Sequence, residues 1–273
     1  FSFTSSALTN TRVSFSRPGS LIRMPSSYSN NTINEYSIGM SNEIVNTNTY
    51  NRSQSIYVHG TSSSGMKYGV VYSTHAKINS SDNSPPSEIS FHLNNRFYET
   101  EKMYIEAGIN DILFTSTSEH ELSLFINLIN KGAPLGSKKL YFLESGMGFG
   151  SGKINNDSHN YNDEISHKAR FFVGLNFKTP LLRDRGGVDF MLDFDGKGTH
   201  LGTKIPINKM LNVKFAITNF QNMSNFNKYN DPATESIFSD SPGIALGLNY
   251  LIPSKTDTQA KLNAVDIEFE TAD

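Results

Sequence analysis

The strongest constraint on this chain is an alternation of apolar and polar residues that recurs along most of its length. In the segment 211–218 the odd positions are Leu, Val, Phe and Ile, and the even positions are polar or small. The segments 171–178, 188–195 and 243–250 repeat the pattern. Because successive side chains of a strand point to opposite faces, a period of two predicts β-strands with one apolar face.

Noisier versions of this alternation extend the prediction to almost the whole chain. They occupy the segments 34–42, 54–60, 66–76, 88–98, 103–114, 121–130, 138–149 and 200–208. Together the segments predict about 12–14 strands, many about 9–11 residues long, which is the length that crosses a bilayer at a tilt. The stretches between them are rich in Asn, Asp, Ser and Pro, as is typical of turns and long polar loops. The fold class is therefore predicted to be all-β.

The position of the glycines favours a closed barrel over a soluble β-sandwich. Several lie on the polar face of their strands: Gly108, Gly146, Gly148, Gly174, Gly202, Gly243 and Gly247. A sandwich would expose that face to water, where Thr, Lys and Glu are better strand formers, whereas a barrel turns it inward, where small residues fit. We predict a single antiparallel transmembrane β-barrel over residues 1–252, in which residues 1–30 form an irregular N-terminal segment and the first strand. A soluble β-sandwich adhesin stays open as an alternative.

Several short motifs resemble those of bacterial outer-membrane β-barrels. They are the glycine-containing segments 106–112, 146–152, 194–202 and 243–250. The early segment 18–26, Pro-Gly-Ser-Leu-Ile-Arg-Met-Pro-Ser, is similar to the opening of the YjbH-like barrels found with exopolysaccharide operons. The resemblance implies a place in the bacterial outer membrane, among lipid and lipopolysaccharide. It also implies a partner, either another envelope protein or a surface polymer or appendage.

Recognisable catalytic and cofactor motifs are missing from the sequence. It has no cysteine, and its 7 histidines form no H-x-x-x-H pair. The glycine-rich segment 146–153 ends in Gly-Lys but lacks the spacing of a phosphate-binding loop. A net charge of −2 argues against nucleic-acid binding, which needs a basic surface. We predict a non-enzymatic protein without a cofactor.

Charged residues on the predicted inner faces form the first candidate site. Asp189, Asp193 and Asp195 fall on one face of a strand, about 7 Å apart for each step of two residues. Clustered carboxylates can bind a cation or act as acid and base. In a barrel lumen we expect them instead to form a charge network with inward basic residues, namely Arg170, Lys178, Lys204 and Lys214.

The C-terminal residues 253–273 are predicted to be a tail or one extra strand. Pro253 lacks the N–H that a central strand needs, so the preceding strand should end there. Val265, Ile267 and Phe269 alternate with polar residues and are predicted to add to the sheet edge of a partner. The leading function is a structural anchor or export-associated component, and the alternative is a narrow passive porin for small solutes.

Overall fold

The computed structural model describes residues 14–25, 35–45, 51–76, 87–113, 123–135, 141–150, 170–196, 198–225 and 242–252. In these ranges twelve strands form one closed antiparallel barrel. The strands are β1 Tyr36–Val45, β2 Asn51–Thr61, β3 Lys67–Ala76, β4 Ser87–Glu99, β5 Met103–Leu113, β6 Ser123–Leu135, β7 Tyr141–Gly150, β8 Arg170–Thr179, β9 Val188–Phe194, β10 Thr199–Pro206, β11 Leu211–Thr218 and β12 Gly243–Ile252. The all-β barrel prediction is confirmed, and every segment of alternating residues corresponds to one strand.

Short 3-10 helices at Arg183–Arg185 and Phe220–Asn225 accompany the strands. Among the described residues, no helix has the length and apolar character needed to cross a membrane.

The first and last strands close the barrel. β1 pairs with β12 along its full length, from Tyr36 opposite Ile252 to Val45 opposite Gly243. A closed sheet leaves no unpaired edge, so its backbone groups can be satisfied inside a bilayer. The β-sandwich alternative is therefore wrong, since it requires two stacked sheets.

The outer face of the wall is a belt of exposed apolar side chains. On β9 and β11, Phe190, Leu192, Phe194 and Phe215 are all exposed. Further members of the belt are Ile38, Met40, Ile56, Val58, Val70, Ile89, Leu124, Ile126, Met147, Phe149, Phe171, Leu246 and Leu248. A soluble protein rarely exposes so many large apolar residues on one continuous surface, whereas lipid tails require them. The chain is a transmembrane β-barrel of the outer-membrane type.

The two ends of the barrel differ in the length of their connections. At one end the strands are joined by short connections such as 62–66, 100–102 and 207–210, and β1 begins and β12 ends there as well. β7 ends and β8 begins at the other end, as do β11 and β12, and these two pairs of strands have long connections in sequence, 151–169 and 219–242. In outer-membrane barrels short turns face the periplasm and longer loops face outward. We call the half of the lumen nearer the long connections the outer half, and the other the inner half.

Candidate functional site

The lumen is occupied by residues 14–25, which we call the plug. Its apolar side chains Phe15, Leu21, Ile22 and Met24 are each at most 3% exposed. The first three pack with wall residues Met191, Ala216 and Ala245, and Met24 packs with Phe125 and Phe172. The hydrophobic core of the described barrel is thus built between the plug and the wall.

The plug is a compact loop and contains no strand. Gly19 has a φ of 69°, a left-handed conformation that glycine adopts without strain. The turn is closed by a hydrogen bond of 3.1 Å from the Ser20 N–H to the Arg17 carbonyl. The N–H of Phe15 donates to the Ile22 carbonyl at 2.8 Å, which brings the two ends of the loop together. A Pro-Gly turn in a segment without alternation explains why this part of the chain does not join the wall.

One buried carboxylate holds the plug backbone. Asp193, which is 0% exposed, accepts the N–H groups of Ile22, Arg23 and Met24 on its Oδ2 at 3.0, 2.8 and 3.0 Å. Successive N–H groups that converge on one point form an anion-binding concavity. Bonds from N–H groups to a charged acceptor are the stronger kind of hydrogen bond. Asp193 therefore fixes the position of the plug.

Arg23 of the plug lies between two further carboxylates. Its Nη2 donates to Glu43 Oε1 at 2.5 Å, and its Nη1 is 3.7 Å from Asp195 Oδ2. Burial by itself would raise the pKa of Asp195, but the His200 imidazole and the Arg23 guanidinium outweigh that effect and hold it below its usual range. The Nε2 of His200 lies 2.9 Å from Asp195 Oδ2. Asp195 therefore contacts an imidazole of the wall and a guanidinium of the plug, and Glu43 contacts the same guanidinium.

Glu43 is a second point where the plug meets the wall. Its side chain is 0% exposed and accepts the N–H and the hydroxyl of Ser14 on Oε2 at 3.2 and 2.8 Å. The hydroxyl of Thr218, on β11, donates to the other oxygen at 2.7 Å. Glu43 on β1 therefore binds both ends of the plug loop, Ser14 and Arg23, where β1 closes the barrel.

Arg17 reaches the opposite side of the lumen. Its Nε and Nη2 donate to Asp111 Oδ1 and Oδ2 at 3.3 and 2.9 Å, a two-pronged contact that arginine makes with carboxylates. The hydroxyl of Ser123 donates to Asp111 at 2.9 Å. The plug consequently spans the lumen from β1 and β9 to β5.

The wall also satisfies carbonyl groups of the plug. His59 Nε2 lies 2.8 Å from the Ser16 carbonyl, Asn94 Nδ2 donates to the Pro18 carbonyl at 3.4 Å, and Asn127 Nδ2 donates to the Pro25 carbonyl. A loop buried without strand partners needs such acceptor and donor groups from its surroundings. The lumen wall thus supplies a complementary surface for this loop.

Two wall glycines allow the plug to approach closely. A Cβ at Gly202 would lie 3.0 Å from Ile22 Cδ1, and one at Gly247 would lie 3.1 Å from the Phe15 ring. Both distances are shorter than ordinary contacts. The inward position of these glycines is therefore explained by the plug as well as by the wall.

The predicted charge network is divided between the two halves of the lumen. In the inner half, Asp189 forms an ion pair with Lys204, which lies directly opposite it on β10. Lys178 lies opposite Asp189 on β8, and Lys214 Nζ is 5.3 Å from the centre of the Phe15 ring. Asp193 and Asp195, in the outer half, have the plug contacts described above. The side chain of Arg170 and the tail residues Val265, Ile267 and Phe269 lie outside the described residues.

The carboxylates of the two halves of the lumen differ in what they contact. Four carboxylates contact the plug in the outer half: Glu43, Asp111, Asp193 and Asp195. The inner half holds both signs of charge on the wall, namely Glu106, Glu144 and Asp189 together with Lys67, Arg96, Lys178 and Lys204. The two plug arginines supply positive charge where the described outer wall is acidic. The sequence prediction missed this arrangement because it named only Asp193 and Asp195 of these four carboxylates and paired them with basic residues of the wall.

A Ser–His–Asn arrangement on β4 and β5 raises the question of hydrolysis. Ser90 Oγ lies 3.0 Å from His92 Nε2, and His92 Nδ1 lies 3.2 Å from Asn110 Oδ1. The backbone N–H of Asp111 also points at Nδ1, at 3.3 Å, so a donor and an acceptor share this ring nitrogen. Ser90 and His92 are only 3% and 1% exposed, so a substrate has no access to the hydroxyl in this structure.

Within the described part of the chain, no group of three or more His, Asp or Glu side chains is placed to hold a metal ion.

Comparisons with known proteins found similar solved structures but no sequence relative. No protein-family model and no curated protein matches the sequence. Among solved structures, a NanC porin matches with 7% identity and a TM-score of 0.47 over 79% of this chain and 98% of that one. Outer membrane phospholipase A from Escherichia coli matches with 12% identity and a TM-score of 0.37 over 80% and 92%. A mutant porin of Rh. blastica matches with 8% identity and a TM-score of 0.20 over 81% and 99%. At these scores the likenesses support no argument about activity.

Proposed function

We propose that this chain is a non-enzymatic outer-membrane barrel that its plug keeps closed at rest. The observation that carries the proposal is the burial of residues 14–25 across the lumen, with Asp193 bound to three consecutive N–H groups of the plug. A constitutively open pore has no use for a segment held in this way. The proposed role is a membrane-embedded anchor or export-associated component for a surface polymer, an appendage or an envelope complex.

The inner half of the lumen also supports a closed resting state. Beneath the plug, the ion pair between Asp189 and Lys204 joins β9 and β10 on the inner face. On the other side of the lumen, the guanidinium of Arg96 lies over the ring of Tyr104 at 3.7 Å. These side chains project into a barrel of twelve strands, whose lumen is narrow. These contacts therefore narrow the path below the plug, and the plug itself fills the outer half.

The test is the conductance of the purified full chain in planar bilayers. We expect the wild-type protein to insert without steady conductance and to open only in rare events, because the plug occupies the lumen. Insertion is confirmed independently by resistance of the barrel to unfolding in SDS without heating. A steady conductance step at every insertion would refute the proposal and favour the second candidate, a passive porin for small solutes, which the polar lumen also fits.

For the tail we propose a place outside the wall and a role in partner binding. The complete pairing of β1 with β12 supports this proposal, because it leaves no edge at which a thirteenth strand could enter. Deleting residues 255–273 should therefore leave barrel assembly unchanged, as measured by heat-dependent migration in SDS gels. Deleting β12 as well is the control and should abolish assembly. Loss of assembly with the shorter deletion would show that the tail is part of the wall.

A further inference from the structure

The wall that surrounds the plug has the properties of a binding site for a peptide. It provides one carboxylate for three backbone N–H groups, two carboxylate positions for guanidinium groups, and side-chain donors for backbone carbonyls. It also provides a hydrophobic surface, formed by Met191, Ala216 and Ala245, for the apolar side chains. All of these contacts are between side chains of the wall and a segment that carries its own internal hydrogen bonds.

We infer that the outer half of the lumen is a recognition site for a dibasic peptide loop, occupied in this structure by residues 14–25 of the same chain. The inference rests on the proposed function, because it requires a plug that can leave its site. The same loop from a second copy of the chain, or as a free peptide, is then a ligand for an empty lumen. Recognition depends on the two arginines and on the backbone turn, since these make the charged contacts.

The acidic character of the site explains why the ligand must be basic. When the plug leaves, Glu43 and Asp111 lose the guanidinium groups of Arg23 and Arg17. Asp193 loses three donors at the same time. Buried carboxylates are costly unless they are paired, so the empty lumen favours the return of a basic segment. A neutral loop of the same shape would fill the space without meeting this requirement.

The experiment uses the full chain carrying Ile22→Glu. Ile22 is 0% exposed and packs over Gly202, so a charge there should drive the plug out while every wall residue is retained. The probe is a fluorescent synthetic peptide of residues 14–25, and the control peptide carries Arg17→Gln and Arg23→Gln. Affinity is measured by fluorescence anisotropy in detergent micelles, and block of conductance is measured in planar bilayers.

We expect the native peptide to bind the Ile22→Glu barrel and to block its conductance. The control peptide should bind about 100-fold more weakly, because each arginine lost removes a buried ion pair with the wall. Wild-type protein should also bind the native peptide at least about 100-fold more weakly, since its own plug competes at a high effective concentration. Adding Asp193→Ala to the Ile22→Glu barrel should abolish binding.

Equal affinity for the two peptides would overturn the inference, as would an open Ile22→Glu barrel that binds neither. If that variant stays closed, the plug is a fixed part of the wall and the inference also fails. The proposed function is judged separately, by the conductance of the wild-type protein.

Discussion

Replacing Asp193 with alanine should release the plug and open the barrel. The substitution removes the carboxylate that accepts hydrogen bonds from the N–H groups of Ile22, Arg23 and Met24. Hydrogen bonds to charged groups contribute about 1.5–3 kcal/mol each. Even a total loss of about 3 kcal/mol shifts the equilibrium between plugged and unplugged barrels by about 100-fold.

Two measurements check this expectation. The first is the frequency of channel opening in planar bilayers. The second uses a single cysteine, Ser16→Cys, as a reporter, because the chain has no cysteine of its own and Ser16 is only 6% exposed. Reaction of this cysteine with a water-soluble maleimide should be slow in the plugged barrel and at least about 100-fold faster when Asp193→Ala is added, in line with the shifted equilibrium.

Asp189→Ala is the matched control for this experiment. Asp189 lies on the same strand and is also buried, but its ion pair is with Lys204 of the wall and not with the plug. Its removal should lower the stability of the barrel without exposing the cysteine reporter. If both substitutions expose the reporter equally, plug release is a general effect of a weakened wall and not a consequence of the contacts of Asp193.

The wall of the barrel was predictable from the sequence because its signal is local. Alternation along 211–218 predicts a strand over these residues, and β11 has the same bounds. The partner of each strand follows as well, since in an antiparallel barrel neighbours in sequence are neighbours in the sheet. The pairing of Lys204 with Asp189 is one result of that simple order, because the two residues face each other across β9 and β10.

The plug was not predictable in the same way, because its partners are remote in sequence. Ile22 and Asp193 are separated by 171 positions, and Arg17 and Asp111 by 94. No period marks the segment 14–25, and its apolar residues are too few to indicate a core by themselves. Apart from the family-like motif in 18–26, its local signal is the pair of arginines on either side of a Pro-Gly turn. That signal gains meaning only when the wall is seen to place carboxylates opposite both of them.

The acidic residues of the inner faces show the same limit. The direction of Asp193 was predicted from parity, yet its partners are backbone N–H groups of the plug, and Asp111, which binds a plug guanidinium, was not singled out at all. The alternation along a strand predicts that a side chain points into the lumen. It does not predict whether the lumen there holds water, wall side chains or another part of the chain.

A disulfide between the plug and the wall should hold the barrel closed even when Asp193 is lost. A Cβ built at Gly247 lies 3.6 Å from the Cβ of Phe15, which is within the range of about 3.5–4.5 Å for disulfides. In the triple variant Phe15→Cys, Gly247→Cys, Asp193→Ala, oxidation should suppress channel opening to the wild-type level. Reduction should restore frequent opening. The frequency should exceed that of Asp193→Ala alone, since the plug has lost the packing of the Phe15 ring in the cluster that contains Ala216.

The variant Phe15→Cys, Asp193→Ala is the control, because it carries one cysteine and cannot form the bridge. Its conductance should not respond to oxidant or reductant. Oxidation of the triple variant adds only one covalent bond, which holds the plug against the wall. A fall in conductance on oxidation would therefore show that the plug must leave its site for the barrel to conduct. Persistent conductance after complete oxidation, verified by mass spectrometry, would mean that ions pass beside the plug and that its release is not what opens the barrel.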